Sequence, residues 1–268
     1  MRRALVVAAG ALALAAATHC SSGSDGPPPF DTPLPDRVTP KDAGGDGNPN
    51  PTGDNEGGVL GVDSGSGVAC DTSLPFGTAQ ALPGAWVMGQ TYSTPRLSAD
   101  ELTIYFTTKS AAGDSDMAYA TRTSIGSAFG APQMLATLNS TANDNDPSVA
   151  ADHLSIWFHS ARGGNADIYT ATRSSEAAAW GTPTAIAAVN TTSAEAHAYF
   201  REAASELWFI SNRGGTTYDI FCSAKSGTTY AAPVLVMPLE STSNDWQPQP
   251  SEDGLTILLA SDRPNGKG

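Results

Sequence analysis

The stretch DNDPSVAADHLSIWFHSARGGNADIYTATR, residues Asp144–Arg173, decides the fold of this chain. It contains an alternating segment rich in β-branched and aromatic residues at Leu154–Phe158, then a Gly163-Gly164 turn, then a similar segment that begins at Asp167. Short alternating segments separated by turn residues are typical of antiparallel β structure. We therefore predict strand, turn, strand, turn, strand across this stretch.

Imperfect copies of this stretch lie on both sides of it. Four equivalent residues recur at spacings of 52, 51 and 50: Pro95, Pro147, Ala198 and Pro248. A fixed period of about this size indicates a solenoid, a propeller or an array. No stretch has convincing helical periodicity, and each period holds about four strands, which is the strand count of a propeller blade. The predicted fold class is all-β, a β-propeller of four-stranded blades with repeats of about 51 residues.

The repeat carries a family resemblance. The pattern P-x-x-S-x-D-G/x-x-x-I-x-F-x-S-x-R-G-G-x-x-D-I-Y-x-A-x-R resembles the TolB-type, WD-like β-propeller repeat of bacterial envelope proteins, from about Leu74 to Gly268. The first copy departs from it at Lys109 and the third at Ala198. The resemblance implies a propeller that binds other proteins of the envelope.

The N-terminal residues are typical of an export signal. Arg2 and Arg3 precede an apolar run at Ala4–Ala17 that is too short to span a bilayer, and Cys20 follows shortly after it. The segment resembles a bacterial lipoprotein signal in which Cys20 is lipidated, although the residues just before the cysteine depart from the usual pattern. The alternative is ordinary cleavage, which gives a soluble periplasmic or secreted protein.

Three regions follow from the composition. Residues 1–20 form the signal, and residues 21–67 are a Gly, Pro, Asp, Asn and Ser tract without apolar periodicity, which predicts a disordered tether. Residues 68–268 form the propeller. The chain stops in the turn that begins at Ser261, before the strand that the repeat would add. We expect a truncated last blade and an incomplete or open ring.

Charge and cysteine usage argue against several functions. The formal net charge of -13 repels phosphate backbones, so we expect no nucleic-acid partner. Cysteine and histidine spacing gives no zinc-site pattern, and no phosphate loop or catalytic motif is present, so we expect no metal, no cofactor and no enzymatic activity. Cys70 and Cys222 are candidates for a disulfide after export.

The recurrent charged residues have a structural explanation. Each arginine ends one strand and an aspartate begins the next, so a hairpin lets the arginine meet that aspartate or the loop carbonyls. Other aspartates lie in the preceding turn, where a short acceptor side chain caps backbone N–H groups. The arginines are Arg162, Arg213 and Arg263; the strand-starting aspartates are Asp116, Asp167 and Asp219; the turn aspartates are Asp100, Asp152 and Asp253.

Positions where the copies differ are the candidates for function. Asp146, His197 and Gln247 occupy equivalent places at the start of inner strands, which converge on a propeller's axis, so we predict that they line one mouth of the channel. Trp246 is the aromatic residue that we expect to be exposed for binding.

Taken together, these features predict a non-enzymatic lipoprotein of the cell envelope. It would be anchored to the outer membrane through lipid alone and face the periplasm or the surface. Its propeller would bind another envelope protein or a peptidoglycan-associated protein. The alternative is a glycan- or peptide-binding propeller of an envelope hydrolase or peptidase whose catalytic part is absent.

Overall fold

The computed structural model of the chain describes residues 5–6, 79–109 and 113–264. The predictions for Cys20, for the tether and for Cys70 fall outside the described residues, as does most of the predicted signal. No helix among the described residues is long and apolar enough to cross a membrane.

The first two repeats each form a four-stranded antiparallel sheet with strands in chain order. The strands of blade 1 are β2 (Tyr92–Leu97), β3 (Thr103–Lys109), β4 (Ser115–Thr121) and β5 (Gln133–Met134). Those of blade 2 are β6 (Asp144–Val149), β7 (Ser155–Ser160), β8 (Asp167–Thr172) and β9 (Thr184–Ala185). Residues Asp144–Arg173 therefore form three consecutive strands, as the sequence predicts.

The third and fourth repeats follow the same plan. Blade 3 has β10 (Glu195–Arg201), β11 (Glu206–Ser211) and β12 (Asp219–Ser226), and both β13 (Thr229–Tyr230) and β14 (Val234–Leu235) pair with β12. A short 3-10 helix at Met237–Leu239 leads to blade 4, which has β15 (Asp245–Pro250) and β16 (Ile257–Ser261). The strand β1 (Leu5–Val6) pairs with β16.

Blades pack face to face because neighbouring strand residues point in opposite directions. On β7, Trp157 packs in a cluster with Leu207 and Phe209 of blade 3, whereas the next residue, Phe158, packs with Tyr105 of blade 1. Burying each such side chain contributes roughly 1.5–3 kcal/mol. Contacts of this kind join consecutive blades, but none of comparable extent joins blade 1 to blade 4 among the described residues. The fold is a β-propeller whose described blades form an open arc.

The innermost strand of every blade bends at the same position. Pairing with the second strand is interrupted there, and the residue at the bend has a left-handed φ of 50–56°. A bulge of this kind turns a side chain away from its ladder position. The four bend residues are Thr94, Asp146, His197 and Gln247.

The recurrent arginines bind the first strand of their own blade. Arg162 Nη2 lies 2.6 Å from Asp144 Oδ1 and donates to the Leu138 carbonyl at 2.5 Å. The same contact recurs at 3.1 Å between Arg213 and Glu195. In blade 4 it joins Arg263 to Asp245 at 2.8 Å.

Of the two predicted partners, the strand-starting aspartates Asp167 and Asp219 are not bound, whereas Arg162 and Arg213 each donate to a carbonyl, of Leu138 and Val189. Asp144 and Asp167 both flank Ser160 in the sheet, one on each side. Asp144 is completely buried, so its charge needs an arginine more than the half-buried Asp167 does. The Oδ1 atoms of the three strand-starting aspartates are buried without a hydrogen-bond partner in the described structure: Asp116, Asp167 and Asp219.

The turn aspartates hold the connection between the first and second strands. Asp100 Oδ1 accepts a hydrogen bond from the Leu102 N–H at 3.0 Å. Asp152 Oδ1 accepts from the Leu154 N–H at 2.8 Å, and Asp253 Oδ1 from the Leu255 N–H at 3.0 Å. Each carboxylate therefore satisfies a backbone donor within its own turn.

Candidate functional site

A buried carboxylate between two histidines lies at the junction of blades 2 and 3. Asp146 Oδ2 is 3.0 Å from His159 Nδ1 and 2.9 Å from His197 Nδ1. The His197 contact lacks the alignment of a hydrogen bond. Asp146 is only 2% exposed, so both imidazoles contact a carboxylate that water hardly reaches.

The bulge explains how the sequence assembles this cluster. It turns Asp146 on β6 and His197 on β10 out of their ladders toward the neighbouring blade, and the Asp146 N–H donates to Thr107 Oγ1 of blade 1 at 3.0 Å. His159 holds the repeat position of Thr107, and its Nδ1 lies 3.4 Å from the His197 N–H. Because the carboxylate oxygen is closer, at 3.0 Å, we place the proton of His159 on Nδ1.

The electrostatics of the cluster favour an ionised aspartate. Burial raises the pKa of Asp146, but charge and hydrogen bonding from His197 and His159 together outweigh burial and hold that pKa well below its usual range. In the part of the chain that the structure describes, no three His, Cys, Asp or Glu side chains are arranged to hold a metal ion. The cluster places contacts between a carboxylate and two imidazoles at the junction of blades 2 and 3.

Two other predicted binding residues lie apart from this cluster. Gln247 occupies the bend of blade 4 and is half-buried, but it does not join Asp146 and His197. Trp246 is also half-buried and packs against the cluster that holds Trp208 and Ile210. This corrects the expectation of an exposed ring, because β15 places Trp246 against blade 3 rather than in solvent.

A cleft of about 680 Å³, the axial cleft, opens where the four inner strands continue beyond their bends. One repeat position contributes a lining side chain from every blade. It is the residue directly after the Pro or Ala that recurs in each repeat, at Pro95, Pro147, Ala198 and Pro248. The four lining residues are Arg96, Ser148, Tyr199 and Gln249. Most of the other lining side chains are apolar, among them Leu97, Val149 and Phe200, and two are acidic, Glu202 and Glu252.

The acidic residues at this cleft are bound to backbone groups. Glu202 Oε1 accepts a hydrogen bond from the Ala151 N–H of blade 2. Glu252 Oε2 accepts from the Ala203 N–H of blade 3 at 2.8 Å. Both carboxylates therefore join blades to each other.

The aromatic rings of the cleft are also occupied. The Phe200 ring stacks on Trp157 with centroids 4.2 Å apart, and the Arg96 guanidinium lies 5.0 Å from the centroid of Tyr199. Burial raises the pKa of the Tyr199 hydroxyl, so the ring stays neutral under ordinary conditions. The face of Phe200 that stacks on Trp157 and the face of Tyr199 that Arg96 covers cannot stack on a ligand.

Sequence reasoning missed Arg96, Tyr199 and His159. The available signal was the repeat itself, because the position of Arg96 and Tyr199 holds a different residue in each of the four copies. When the residue type at one strand position varies between copies while the strand pattern stays constant, that position belongs to a surface that the fold does not need for packing. His159 gave no such signal, since only the bulge brings it to Asp146.

Cys222 is buried between blades 3 and 4 and is disulfide-bonded. Cys70 lies outside the described residues, so the pairing of these two cysteines stays a prediction.

The described blades form an open β-propeller. No protein-family model and no curated protein matches the chain. A structure assigned as TolB from Agrobacterium tumefaciens is 19% identical, with a TM-score of 0.46, and the match covers 63% of this chain and 53% of that one. TolB from Acinetobacter baumannii is 18% identical, with a TM-score of 0.45, over 67% of this chain and 39% of that one.

A third similar structure is a thermostable family-43 glycoside hydrolase, 12% identical with a TM-score of 0.44, over 66% of this chain and 68% of that one. The chain thus spans about half of the first TolB structure and about two fifths of the second.

Proposed function

We propose that this chain is a non-enzymatic binding protein of the cell envelope and that its axial cleft holds an extended segment of a partner protein. The observation that carries the proposal is the cleft of about 680 Å³, whose lining residues vary from blade to blade. A pocket of this size with mostly apolar walls and few polar groups suits a ligand of several residues.

The surroundings of the cleft favour a peptide over a glycan. Sugar rings bind proteins by stacking on open aromatic faces, but Phe200 is stacked on Trp157 and Tyr199 is covered by Arg96. Exposed aliphatic side chains lie at the cleft, including Leu82 at 41% and Leu97 at 48% exposure, beside the exposed Glu202 and Glu252. Aliphatic residues complement apolar peptide side chains through burial.

Photo-crosslinking in cells tests this function. A photoreactive residue at Leu97 is expected to capture a protease-sensitive partner. The added substitution Ala99→Trp, which narrows the cleft at an exposed lining residue, is expected to abolish that capture. Ala128→Trp places the same side chain at an exposed position outside the cleft and is expected to leave the capture intact. An adduct digested by lysozyme, no adduct, or an adduct insensitive to Ala99→Trp contradicts the proposal.

Envelope anchoring through Cys20 belongs to the same proposal. A cysteine that follows an apolar signal and precedes a Ser and Gly tract is where a lipoprotein is modified. Radiolabelled palmitate is expected to label the wild-type chain and not the Cys20→Ala variant. Equal labelling of both chains, or export without any label, contradicts lipidation.

A further inference from the structure

Arg96 lies on the inner strand of blade 1 and lines the axial cleft. Its guanidinium crosses the cleft to blade 3, where it lies 5.0 Å from the ring centroid of Tyr199. A planar guanidinium over an aromatic face is held in a fixed orientation, which pre-organises it for planar acceptors such as carboxylates.

Arg96 Nε has no hydrogen-bond partner among the described residues. A guanidinium has five N–H donors, yet Nε of Arg96 is buried without a partner, and no ion pair to Arg96 occurs among the described residues. The contrast with the other cations is direct, because Arg162 and Arg213 each bind a carboxylate and a carbonyl oxygen. Burial lowers the pKa of Arg96, an effect that Asp146 only partly opposes.

Neighbouring carboxylates do not supply the missing partner. Asp146 Oδ2 is already 3.0 and 2.9 Å from two imidazoles, and Glu202 and Glu252 bind backbone N–H groups. The two glutamates also place negative charge at the cleft, which disfavours a doubly charged phosphate or sulfate more than a single carboxylate. The cleft therefore offers one cation beside apolar walls.

We propose that Arg96 binds a carboxylate of the ligand in the axial cleft, and that the ligand is an apolar peptide segment carrying that carboxylate at its C-terminus or on an acidic side chain. Two parallel N–H···O bonds from the guanidinium would fix the carboxylate. The aliphatic side chains of Leu97 and Val149 would contact the neighbouring apolar residues of the peptide. This inference rests on the proposed peptide-binding function of the cleft.

Peptide titrations with the purified chain test the inference. The probes are acetyl-Leu-Leu, the same peptide with a C-terminal amide, and acetyl-Asp-Leu amide, which moves the carboxylate to a side chain. The wild-type chain is expected to bind at least one carboxylate peptide about tenfold or more tightly than the amide, because a charge-assisted bidentate contact is lost in the amide. Whichever acid binds more tightly identifies the source of the carboxylate.

Two variants of Arg96 test its role, and one variant of Arg122 is the control. Arg96→Gln is expected to abolish the preference for the acid, and Arg96→Lys, which keeps the charge without the planar fork, to reduce it. Arg122→Gln changes an arginine that binds Glu101 outside the cleft and is expected to keep the full preference. Circular dichroism and thermal unfolding of each variant confirm that it is folded before titration.

Several results would overturn the assignment of Arg96. Equal wild-type affinities for acids and amide, a preference that survives Arg96→Gln, or no binding of any probe at millimolar concentration each contradict it. Failure here with retained crosslinking at Leu97 would reject carboxylate recognition alone. Loss of the crosslink with retained peptide preference would reject the partner-protein function alone.

Discussion

At the scale of single residues, a buried charge distinguishes one blade from the other copies of the repeat. Asp146 is an aspartate held ionised by two histidines, whereas its equivalents in blades 1 and 4 are Thr94 and Gln247. Asp146, His159 and His197 together thus place a contact between a carboxylate and two imidazoles between blades 2 and 3, at a bend that is neutral in blades 1 and 4.

The first prediction concerns Asp146→Asn. Because the pKa of Asp146 is lowered in the folded state, its carboxylate contributes stability above the ordinary aspartate pKa of about 4, and that stability disappears as pH falls through the folded-state pKa. We expect the variant to lose roughly 1–3 kcal/mol at pH 7, measured by urea unfolding.

The control for that experiment is Asp152→Asn, an exposed aspartate whose asparagine can still accept from the Leu154 N–H. It is expected to change stability little. A loss of stability at pH 7 that is the same for both variants would contradict the ionic junction.

The second prediction concerns the strand-starting aspartates. Burial raises the pKa of Asp167, and the charge of Glu195 raises it further. The charged carboxylate therefore opposes folding, and this contribution of Asp167 to the free energy of unfolding becomes more favourable as pH falls through the folded-state pKa. Asp167→Asn is expected to raise stability at pH 7, by less than about 1 kcal/mol because the side chain is partly solvated.

Asp144→Asn is the matched comparison, since Asp144 flanks the same strand but pairs with Arg162 at 2.6 Å. It is expected to lower the unfolding temperature at pH 7. A decrease of similar size for both variants would show that Asp167 has a partner after all.

At the scale of the structural element, the bulge of each inner strand separates residues that contact a neighbouring blade from residues that line the cleft. The bend residues Asp146 and His197 contact a neighbouring blade, and the residues two positions after each bend line the cleft. The left-handed conformation is unfavourable for a residue with a Cβ, so it persists only because the surrounding sheet holds it.

The third prediction tests this strain at Gln247, which has a φ of 52°. Gln247→Gly is expected to retain or increase stability, since glycine adopts this conformation readily. Gln247→Val is expected to lose about 1–2 kcal/mol, because a β-branched side chain is disfavoured there. Equal stability of the two variants in chemical unfolding would contradict a strained bend.

At the scale of the whole molecule, blades are joined by charged groups at their inner ends as well as by apolar faces. Arg201 is buried, lies 3.2 Å from Glu206 and donates to the Glu252 carbonyl of blade 4 at 3.0 Å. An open arc needs such connections, because its terminal blades have a neighbour on one side only.

The fourth prediction is that Arg201→Ala loosens blade 4 from blade 3. The variant loses the buried pair with Glu206 and the bond to the Glu252 carbonyl of blade 4, and breaking such a buried pair is expected to cost about 3–5 kcal/mol. Limited proteolysis should then cut faster near Met237, between the blades.

Lys225→Ala serves as the comparison because Lys225 is a cation whose Nζ contacts lie within blade 3: the Gly227 carbonyl at 2.7 Å and the Phe200 ring centroid at 5.7 Å. It is expected to leave cleavage unchanged. Faster cleavage in both variants would point to a general loss of stability instead.

The sequence by itself determined the blades. Strand alternation at Leu154–Phe158, the Gly163-Gly164 turn and the period of about 51 residues are local signals, and each follows from backbone sterics that neighbouring residues decide. The burial of Trp157 and Trp208 follows from the same alternation.

Only the tertiary structure decided which groups meet. Asp146 and His197 are 51 positions apart, and it took a bulge and a blade contact to bring them to 2.9 Å. The same is true of Arg96 and Tyr199, which face each other across the cleft. Hydrophobic periodicity determines which face of a strand is buried, but the partner of a buried charge depends on the angle between blades, which no local pattern encodes.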